Sequence, residues 1–412
     1  MVRLSKKVAW LIMDVRIMKM GKKIRLLPTL EQEIQFRKSL GTARWSYNYF
    51  LSTNFTIYDT YLTNGKVGTS FISEGDVRKY INNNLKPTTH QWLKEVGSNV
   101  MKQAVKDAND AFKRYFKGEA DRPKYKSKHR NDISFYVNAE RLRATDNGFI
   151  GERLGEIRTA EPLPKIEVGK HYSNPRISYD GKYYYLSISY EVNPIQVELT
   201  DSTIGIDVGV KDLAICSDGS VYKNINKTKQ VRDIEKRLKR AQRSLSRMLE
   251  DNTSSYKTIG DKRYPIYKRP LSECRNIQKQ KKKIKLIYRK LTNIRNNYLH
   301  QTTTKIVKTK PSCIVIEDLN VSGMMKNSHL SKAIQDQKLY EFRRQITYKS
   351  SLYGIQLIFA DRFYPSSKMC SCCGNIKKDL KLKDRIYNCE QCGLSIDRDY
   401  NASINLANYK SA

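Results

Sequence analysis

Four cysteines near the carboxyl end of the chain have the spacing of a metal site. They form two C-x-x-C pairs, each followed by glycine: Cys370 with Cys373, and Cys389 with Cys392. Thiolates at this spacing match a structural zinc ribbon, where backbone amides turn toward the sulfurs. Cys372 is also available in the first pair, and we choose Cys373 because Gly374 follows it. A redox-active thiol pair is the alternative interpretation.

Three acidic residues at the ends of predicted elements form a second set: Asp207, Glu317 and Asp399. Asp207 lies in an alternating strand, Glu317 closes the apolar run Ile314 to Ile316, and Asp399 precedes the last helix. Taken singly, they could be a turn residue, an exposed strand end and a helix N-cap. Together, three such carboxylates can hold two divalent cations, of which one activates water and the other stabilises the leaving 3′ oxygen of a phosphodiester.

The elements that must position these residues follow from hydrophobic periodicity. An extended opening precedes a helix with a capping box at Thr29 and Gln32, and a further helix ends at Gly118. Strands are expected over 133–197, where Tyr184 is assigned to the core. Beyond residue 203 we expect two strands meeting near 209–212, an antiparallel helix pair (231–249 and 274–307) broken by a polar loop (251–265), a strand at 313–317, a helix at 330–353, a strand at 355–360 and a last helix at 399–409.

The charge of the chain indicates an anionic partner. Its 412 residues carry 77 Lys and Arg against 41 Asp and Glu, a formal charge of +36, which makes nucleic acid the leading candidate. A membrane-surface protein would need an apolar anchor, and the run Val8 to Met13 is too short for one or for a signal peptide. We therefore expect a soluble, cytoplasmic protein. The basic segment 122–130 is interpreted either as a nucleic-acid contact or as a solvated run of charge.

Several sequence blocks resemble the TnpB proteins of bacterial insertion sequences, and equally their descendants, the miniature type V CRISPR effectors. The blocks near the carboxyl end are G-I-D-V-G-V-K-D-L-A (205–214), V-I-E-D-L (315–319), F-Y-P-S-S-K-M-C-S-C-C-G (363–374) and C-G-L-S-I-D-R-D-Y-N-A-S-I-N-L-A (392–407). P-T-L-E-Q (28–32) and G-T-A-R-W-S-Y-N-Y-F-L (41–51) resemble the helical entry of that family. The resemblance covers most of the chain.

The resemblance implies an RNA-guided DNA endonuclease with a multidomain α+β fold. Its expected parts are a wedge β domain in two pieces (1–29 and 131–200), a helical recognition domain (30–130), a RuvC-like nuclease domain of RNase H fold (201–365), an inserted zinc ribbon (366–395) and a last RuvC segment (396–412). The implied partners are a guide RNA and double-stranded target DNA. An origin as a CRISPR effector, a nuclease-inactive repressor and a transposase remain alternatives; the presence of all three carboxylates favours the enzyme.

The resemblance also assigns roles to residues. Asp207, Glu317 and Asp399 take the positions of the catalytic carboxylates, which implies two Mg²⁺ ions. Asp399 is preferred to Asp397 because the second Asp of the family's D-R-D-x-N pattern is the ligand. Cys370, Cys373, Cys389 and Cys392 take the positions that hold one structural Zn²⁺. Ser403 stands where the family often has Ala.

Overall fold

A computed structural model describes residues 18–128, 134–167, 169–381 and 384–409. It divides the chain into two units, Lys19–Val192 and the part from Asn193 onward. No helix in these described ranges is long and apolar enough to cross a membrane.

In the first unit, a strand leads into three helices. Strand β1 (Met18–Leu27) precedes α1 (Leu30–Thr63), α2 (Glu74–Tyr80) and α3 (Ser98–Phe116). The predicted capping box is confirmed, since the Gln32 N–H donates to the Thr29 hydroxyl and the Thr29 N–H donates to the Gln32 side chain. The buried stripe of α3 packs on α1, where the rings of Phe112 and Phe50 lie 6.2 Å apart.

Strands on both sides of these helices in sequence share one sheet. After α3 come β2 (Ser134–Tyr136), β3 (Arg143–Thr145), β4 (Gly148–Gly151), β5 (Gly155–Thr159), β6 (Ser173–Tyr179) and β7 (Tyr184–Val192), and the sheet order is β2-β6-β7-β1-β5-β4-β3. Tyr184 is buried with its ring 5.1 Å from that of Phe36, so its assignment to the core is confirmed. Strand β1 thus joins strands that follow it by more than a hundred positions.

The basic segment after α3 lies along α1. The Lys126 ammonium is 3.9 Å from the Tyr47 ring centre. The Lys126 N–H donates to Asn48 Oδ1, and Asn48 Nδ2 donates to the Lys126 carbonyl. Arg122 pairs with Asp59 at 3.2 Å. At least these two basic side chains therefore have partners within the protein. Residues 129–130 of the segment lie outside the described residues.

The second unit is built on a five-stranded mixed sheet. Its strands are β8 (Thr200–Val208), β9 (Asp212–Cys216), β10 (Val221–Lys223), β13 (Pro311–Glu317) and β14 (Gln356–Ala360), in the order β10-β9-β8-β13-β14. Strands β8, β13 and β14 are parallel, whereas β9 runs antiparallel to β8. The multidomain α+β fold that the resemblance implies is confirmed, with a mixed sheet at the centre of this unit.

The helix pair of this unit carries a hairpin that the sequence interpretation missed. Helices α4 (Lys229–Asp251) and α5 (Arg275–Lys308) pack together as predicted. Between them, the predicted polar loop is instead an antiparallel hairpin of β11 (Thr253–Ile259) and β12 (Lys262–Tyr267), so that prediction was wrong. Gly260, at a φ of 58°, turns the chain between the two strands.

The remaining elements surround the sheet. They are α6 (Val321–Met324), α7 (Ser331–Gln337), α8 (Leu339–Leu352), the paired strands β15 (Ile386–Asn388) and β16 (Ser395–Asp397), and α9 (Arg398–Ala407). The single helix predicted over 330–353 is broken at Lys338, whose backbone takes the left-handed conformation at a φ of 55°. Ile334 and Phe342, on the two sides of this break, are both buried in the core of the sheet.

Helix α9 lies unusually close to β8 because residue 205 has no side chain. A Cβ on Gly205 would stand 2.0 Å from the Ser403 carbonyl oxygen and 2.3 Å from the Ala407 nitrogen. Both are backbone atoms of α9, which cannot yield as a flexible side chain would. The contact therefore requires glycine at this position of the strand.

Gly205→Ala is expected to lower the free energy of unfolding by about 1–3 kcal/mol or more, because the added methyl group forces α9 away from β8. Urea denaturation of the parent and the variant measures the loss. Gly209→Ala is the matched control, since its Cβ would come no closer than 3.4 Å to its nearest neighbour. Equal stability of the two variants would show that α9 does not pack in this way.

Candidate active site and metal centre

The strand register brings two of the acidic residues to one edge of the sheet. In the parallel pair β8 and β13, Ile206 lies opposite Ile316, so Asp207 and Glu317 follow one position later on neighbouring strands. Both side chains are partly buried. Carboxyl ends of adjacent parallel strands form the usual place for a site in such a sheet.

The third acidic residue reaches the same edge from α9. Asp399 stands in the first turn of this helix, and its side chain is 13% exposed. Its charge contributes to raising the pKa of both Asp207 and Glu317, which places the three carboxylates within electrostatic reach of one another. The structure therefore brings together the three residues chosen from the sequence.

Asp207 and Glu317 are costly to ionise in the absence of a cation. Burial, followed by the negative charges of Glu317 and Asp399, raises the pKa of Asp207 well above its ordinary value. Burial also raises the pKa of Glu317, against a hydrogen bond from the Ser366 hydroxyl that lowers it. Carboxylate oxygens are the ligands that hard divalent cations prefer, and a bound cation would remove the repulsion. The residues present thus fit Mg²⁺.

Two arginines lie beside Asp399. The Arg398 guanidinium donates to Asp399 Oδ1 at 2.7 Å, and Arg385 lies 3.8 Å from Asp399 Oδ2. These positive charges compensate part of the negative charge at the sheet edge. Sequence reasoning did not select either residue, although Arg398 stands between the two Asp residues of D-R-D.

Asp397 and Asp399 have different structural roles. Asp397 is the N-cap of α9, and its Oδ1 accepts hydrogen bonds from the N–H groups of Asp399 and Tyr400 at 3.0 and 3.1 Å. The interpretation of Asp399 as an N-cap is therefore wrong. Capping occupies Asp397 with backbone donors and leaves Asp399 to face the other carboxylates.

Buried amides, which sequence reasoning also missed, tie α9 to the segment that precedes the cysteines. Asn405 Nδ2 donates to the carbonyl oxygens of Ser366 and Met369, both at 2.7 Å. Asn401 donates to the Met369 carbonyl and accepts from the Ser371 N–H. The only sequence signal was a pair of Asn residues four positions apart, which places them on one face of a helix.

The four cysteines chosen from the sequence are gathered into one cluster. The sulfurs of Cys370, Cys373, Cys389 and Cys392 all lie within 4.8 Å of one another, and within the described ranges no other group of three or more His, Cys, Asp or Glu residues is this compact. The Cys370 and Cys392 sulfurs are 3.6 Å apart, and those of Cys373 and Cys389 are 3.5 Å apart. Cys372 is exposed and lies outside the cluster.

This cluster fits a tetrahedral zinc ion. Zn–S bonds of about 2.3 Å place tetrahedral sulfurs about 3.8 Å apart, close to the separations observed. Gly374 and Gly393 adopt φ angles of 75° and 72°, so each C-x-x-C pair closes in a turn that favours glycine.

Three family models match different parts of the chain. One described as "Cas12f1-like, TNB domain" matches residues 340–406, "Probable transposase" matches 187–328, and "Helix-turn-helix domain" matches 18–62. Despite the last description, residues 18–62 here form one strand and one continuous helix.

Relatives cover nearly the whole chain. "Putative RNA-guided DNA endonuclease InsQ" of Escherichia coli (strain K12) is 30% identical over 400 residues, which are 93% of this chain and 90% of that protein. "Putative RNA-guided DNA endonuclease" of Streptomyces pristinaespiralis is 28% identical over 93% of this chain and 87% of that protein.

A solved structure, "Cryo-EM structure of the Cas12f1-sgRNA-target DNA complex", shares the fold. It aligns with a TM-score of 0.51 and 14% identity over 95% of this chain and 99% of its own. Since the motifs, the site geometry and a relative at 30% identity agree, the chain belongs to the TnpB family, as its sequence blocks predict.

Proposed function

We propose that this protein is an RNA-guided DNA endonuclease that cleaves double-stranded DNA at a single RuvC-like site. The observation that carries the proposal is the meeting of Asp207, Glu317 and Asp399 at one edge of the sheet, where burial and then the other two carboxylates raise the pKa of Asp207. The names of the relatives at 30% and 28% identity support the same activity.

The three carboxylates would hold two Mg²⁺ ions, which would activate the attacking water and stabilise the leaving 3′ oxygen. The chain itself orients these carboxylates: the strand register fixes Asp207 beside Glu317, the Ser366 hydroxyl holds Glu317, and α9 carries Asp399. Arg385 and Arg398 place positive charge where a backbone phosphate must approach. The net charge of +36 favours binding of long polyanions over the rest of the surface.

The domain roles follow from the same proposal. Strand β1 shares its sheet with β2 to β7, so residues 1–29 and 131–200 are assigned to one wedge domain, into which the helical recognition domain (30–130) is inserted. Residues 201–365 and 396–412 form the nuclease domain around the zinc ribbon (366–395). We assign the protein to the cytoplasm, where its nucleic-acid partners are accessible.

The test is DNA cleavage by the purified full chain with and without its RNA. Cleavage of a duplex that matches the guide is expected only with RNA present, because base pairing supplies specificity that a phosphate-binding surface cannot. Asp207→Ala, Glu317→Ala and Asp399→Ala should each abolish cleavage while guided binding stays nearly intact. Site-specific cutting by RNA-free protein, or cutting by these three variants, would contradict the proposal.

Asp397→Asn is the matched control for Asp399→Asn in this experiment. Both substitutions replace a carboxylate by an amide of the same shape, and Asn is a good N-cap, so α9 should still begin at the same residue. We expect Asp397→Asn to retain cleavage and Asp399→Asn to lose it. The reverse result would exchange the roles of the two residues.

The raised pKa of Asp207 leads to a prediction about stability. In Mg²⁺-free buffer without a chelator, so that the cysteine cluster keeps its zinc, Asp207→Asn should have a higher melting temperature than the parent near neutral pH. The pKa of Asp207 is higher in the folded protein than in the unfolded chain, where it is about 4. The parent therefore loses stability as the pH rises from the unfolded-state pKa through the folded-state pKa. The difference should vanish below about pH 4, where the carboxyl is protonated in both states, and it should shrink in Mg²⁺.

The control for this stability measurement is Asp201→Asn, an exposed carboxylate at the other end of the same strand. It should leave the melting temperature of the Mg²⁺-free protein unchanged. If Asp207→Asn melts at or below the parent temperature without Mg²⁺, burial and the neighbouring carboxylates do not disfavour the charge of Asp207 as described.

The cysteine cluster makes a third prediction. Replacing Cys370, Cys373, Cys389 or Cys392 by Ser should release the zinc, because a hydroxyl is a poor substitute for a thiolate in a tetrahedral site. Cleavage should fall with it, since Asn401 and Asn405 link the cysteine region to the helix that carries Asp399. Elemental analysis measures bound metal.

Cys372→Ser is the internal control for the zinc measurement and should keep both metal and activity. Zinc lost from Cys372→Ser but retained in Cys373→Ser would show that the wrong cysteine of the first pair was chosen. If the parent protein contains no zinc, the cysteine cluster is not a zinc site.

A further inference from the structure

The β11–β12 hairpin is the exposed tip of an arm, the name used here for α4, the hairpin and α5 (229–308), and the cleavage step proposed above gives it no role. Every residue from Ser254 to Ile266 is exposed, so both faces of this two-stranded ribbon contact solvent. Its base is tied to the helix pair, because Asn252 Nδ2 donates to the Arg269 carbonyl and the Lys268 N–H donates to the Asn252 carbonyl. An isolated hairpin of this kind is only marginally stable in water.

The two faces of the hairpin differ in chemistry. On one face the Tyr256 ring is covered by the Arg263 guanidinium at 4.7 Å, and its hydroxyl donates to Glu250. The register places a different set on the other face, called here the open face: Ser255, Lys257, Ile259, Lys262, Tyr264 and Ile266.

The open face combines apolar surface with positive charge. Ile259 is 58% exposed, and Tyr264 and Ile266 are each 47% exposed. Lys262 lies directly opposite Ile259, and Lys257 lies opposite Tyr264, so each apolar side chain of these pairs has an ammonium beside it. Large apolar side chains that are exposed together indicate an interaction surface.

Charge selects the occupant of this face. The segment from Thr253 through Arg269 contains five Lys or Arg side chains and one carboxylate. The same helix pair carries a groove of about 420 Å³ with an apolar floor, whose lining includes five cations and no carboxylate: Arg237, Lys279, Lys282, Lys283 and Lys290. The arm as a whole therefore complements a polyanion.

A duplex would leave half of the open face unused. Its outer surface presents phosphates, and its base faces are stacked inside, so it offers no flat apolar partner to Tyr264, Ile259 and Ile266. An unpaired strand offers phosphates to lysines and base faces to an aromatic ring at the same time.

We propose that the open face binds an unpaired stretch of nucleic acid, with Tyr264 stacking on a base and Lys257 and Lys262 contacting phosphates. This deepens the proposed function and rests on it, since a guide RNA and an opened DNA target both contain such strands. Ile259 and Ile266 extend the apolar surface on which neighbouring bases lie.

The test uses the full chain, stripped of nucleic acid and kept free of Mg²⁺, with labelled oligouridine, oligothymidine and duplex DNA as probes. The triple variant Ile259→Ser, Tyr264→Ser, Ile266→Ser should bind the single strands at least about ten-fold more weakly. Its salt dependence should be unchanged, because no charge is lost. Duplex binding should stay as in the parent.

Lysine variants separate charge from stacking. Lys257→Ser with Lys262→Ser should reduce the slope of log affinity against log salt by about 1.4, at about 0.7 for each phosphate contact. Tyr264→Phe should bind like the parent, because the ring is retained. Tyr340→Ser removes an exposed tyrosine of α8 and is the matched control, expected to change nothing.

Three outcomes would overturn the proposal. In the first, the triple variant binds single strands like the parent. In the second, the substitutions alter only self-association, measured by light scattering. In the third, they alter only binding to phosphatidylglycerol vesicles. The two oligomers distinguish RNA from DNA as the source of the strand. If the parent protein shows no guided cleavage but the triple variant still binds single strands more weakly than the parent, only the proposed function is contradicted. If the parent cleaves as expected but the triple variant binds single strands like the parent, only the proposal for the hairpin is contradicted.

Discussion

The close contact of α9 with β8 is the constraint on which both candidate metal sites depend. Because Gly205 presents no side chain, the backbone of α9 rests directly on the strand that carries Asp207. The first turn of α9 then places Asp399 at the edge of the sheet. The same helix holds the segment before the cysteines through Asn401 and Asn405, so one packing contact fixes the position of the carboxylates and of the cysteine cluster together.

The acidic edge is held together against its own charge. Burial and the neighbouring negative charges raise the pKa of Asp207 and of Glu317, so the fold bears a cost there that packing elsewhere must offset. The chain reduces this cost locally: Arg398 and Arg385 lie beside Asp399, and Ser366 donates to Glu317. Carboxylates with strongly shifted pKa values at the edge of a sheet are typical of functional sites. A site that binds cations must keep its carboxylates close together, so their repulsion remains until a cation is bound.

The sequence contained the parts of the site but not their arrangement. Alternation predicted β8, an apolar run predicted β13, and spacing predicted the cysteine cluster, because each is a local pattern. The break at Lys338 has no Gly or Pro to signal it, and the hydrogen bonds of Asn401 and Asn405 exist only through tertiary contacts. The hairpin did have a local signal, Gly260-Asp261 between β-forming residues, which its polar composition obscured.

The arm that ends in the hairpin is inserted between the strands that carry the carboxylates. It leaves the sheet after β10 and returns at β13, so Asp207 precedes it and Glu317 follows it in the chain. Arg295 fixes its root by pairing with Glu235 of α4 and Asp336 of α7 at 2.9 and 2.8 Å. The Tyr298 hydroxyl also donates to the Lys223 carbonyl of β10. Because the root is braced to the sheet in this way, a nucleic-acid strand bound to the arm as proposed would be tied to the sheet that carries Asp207 and Glu317. Positioning and chemistry can thus be supplied by different parts of one unit.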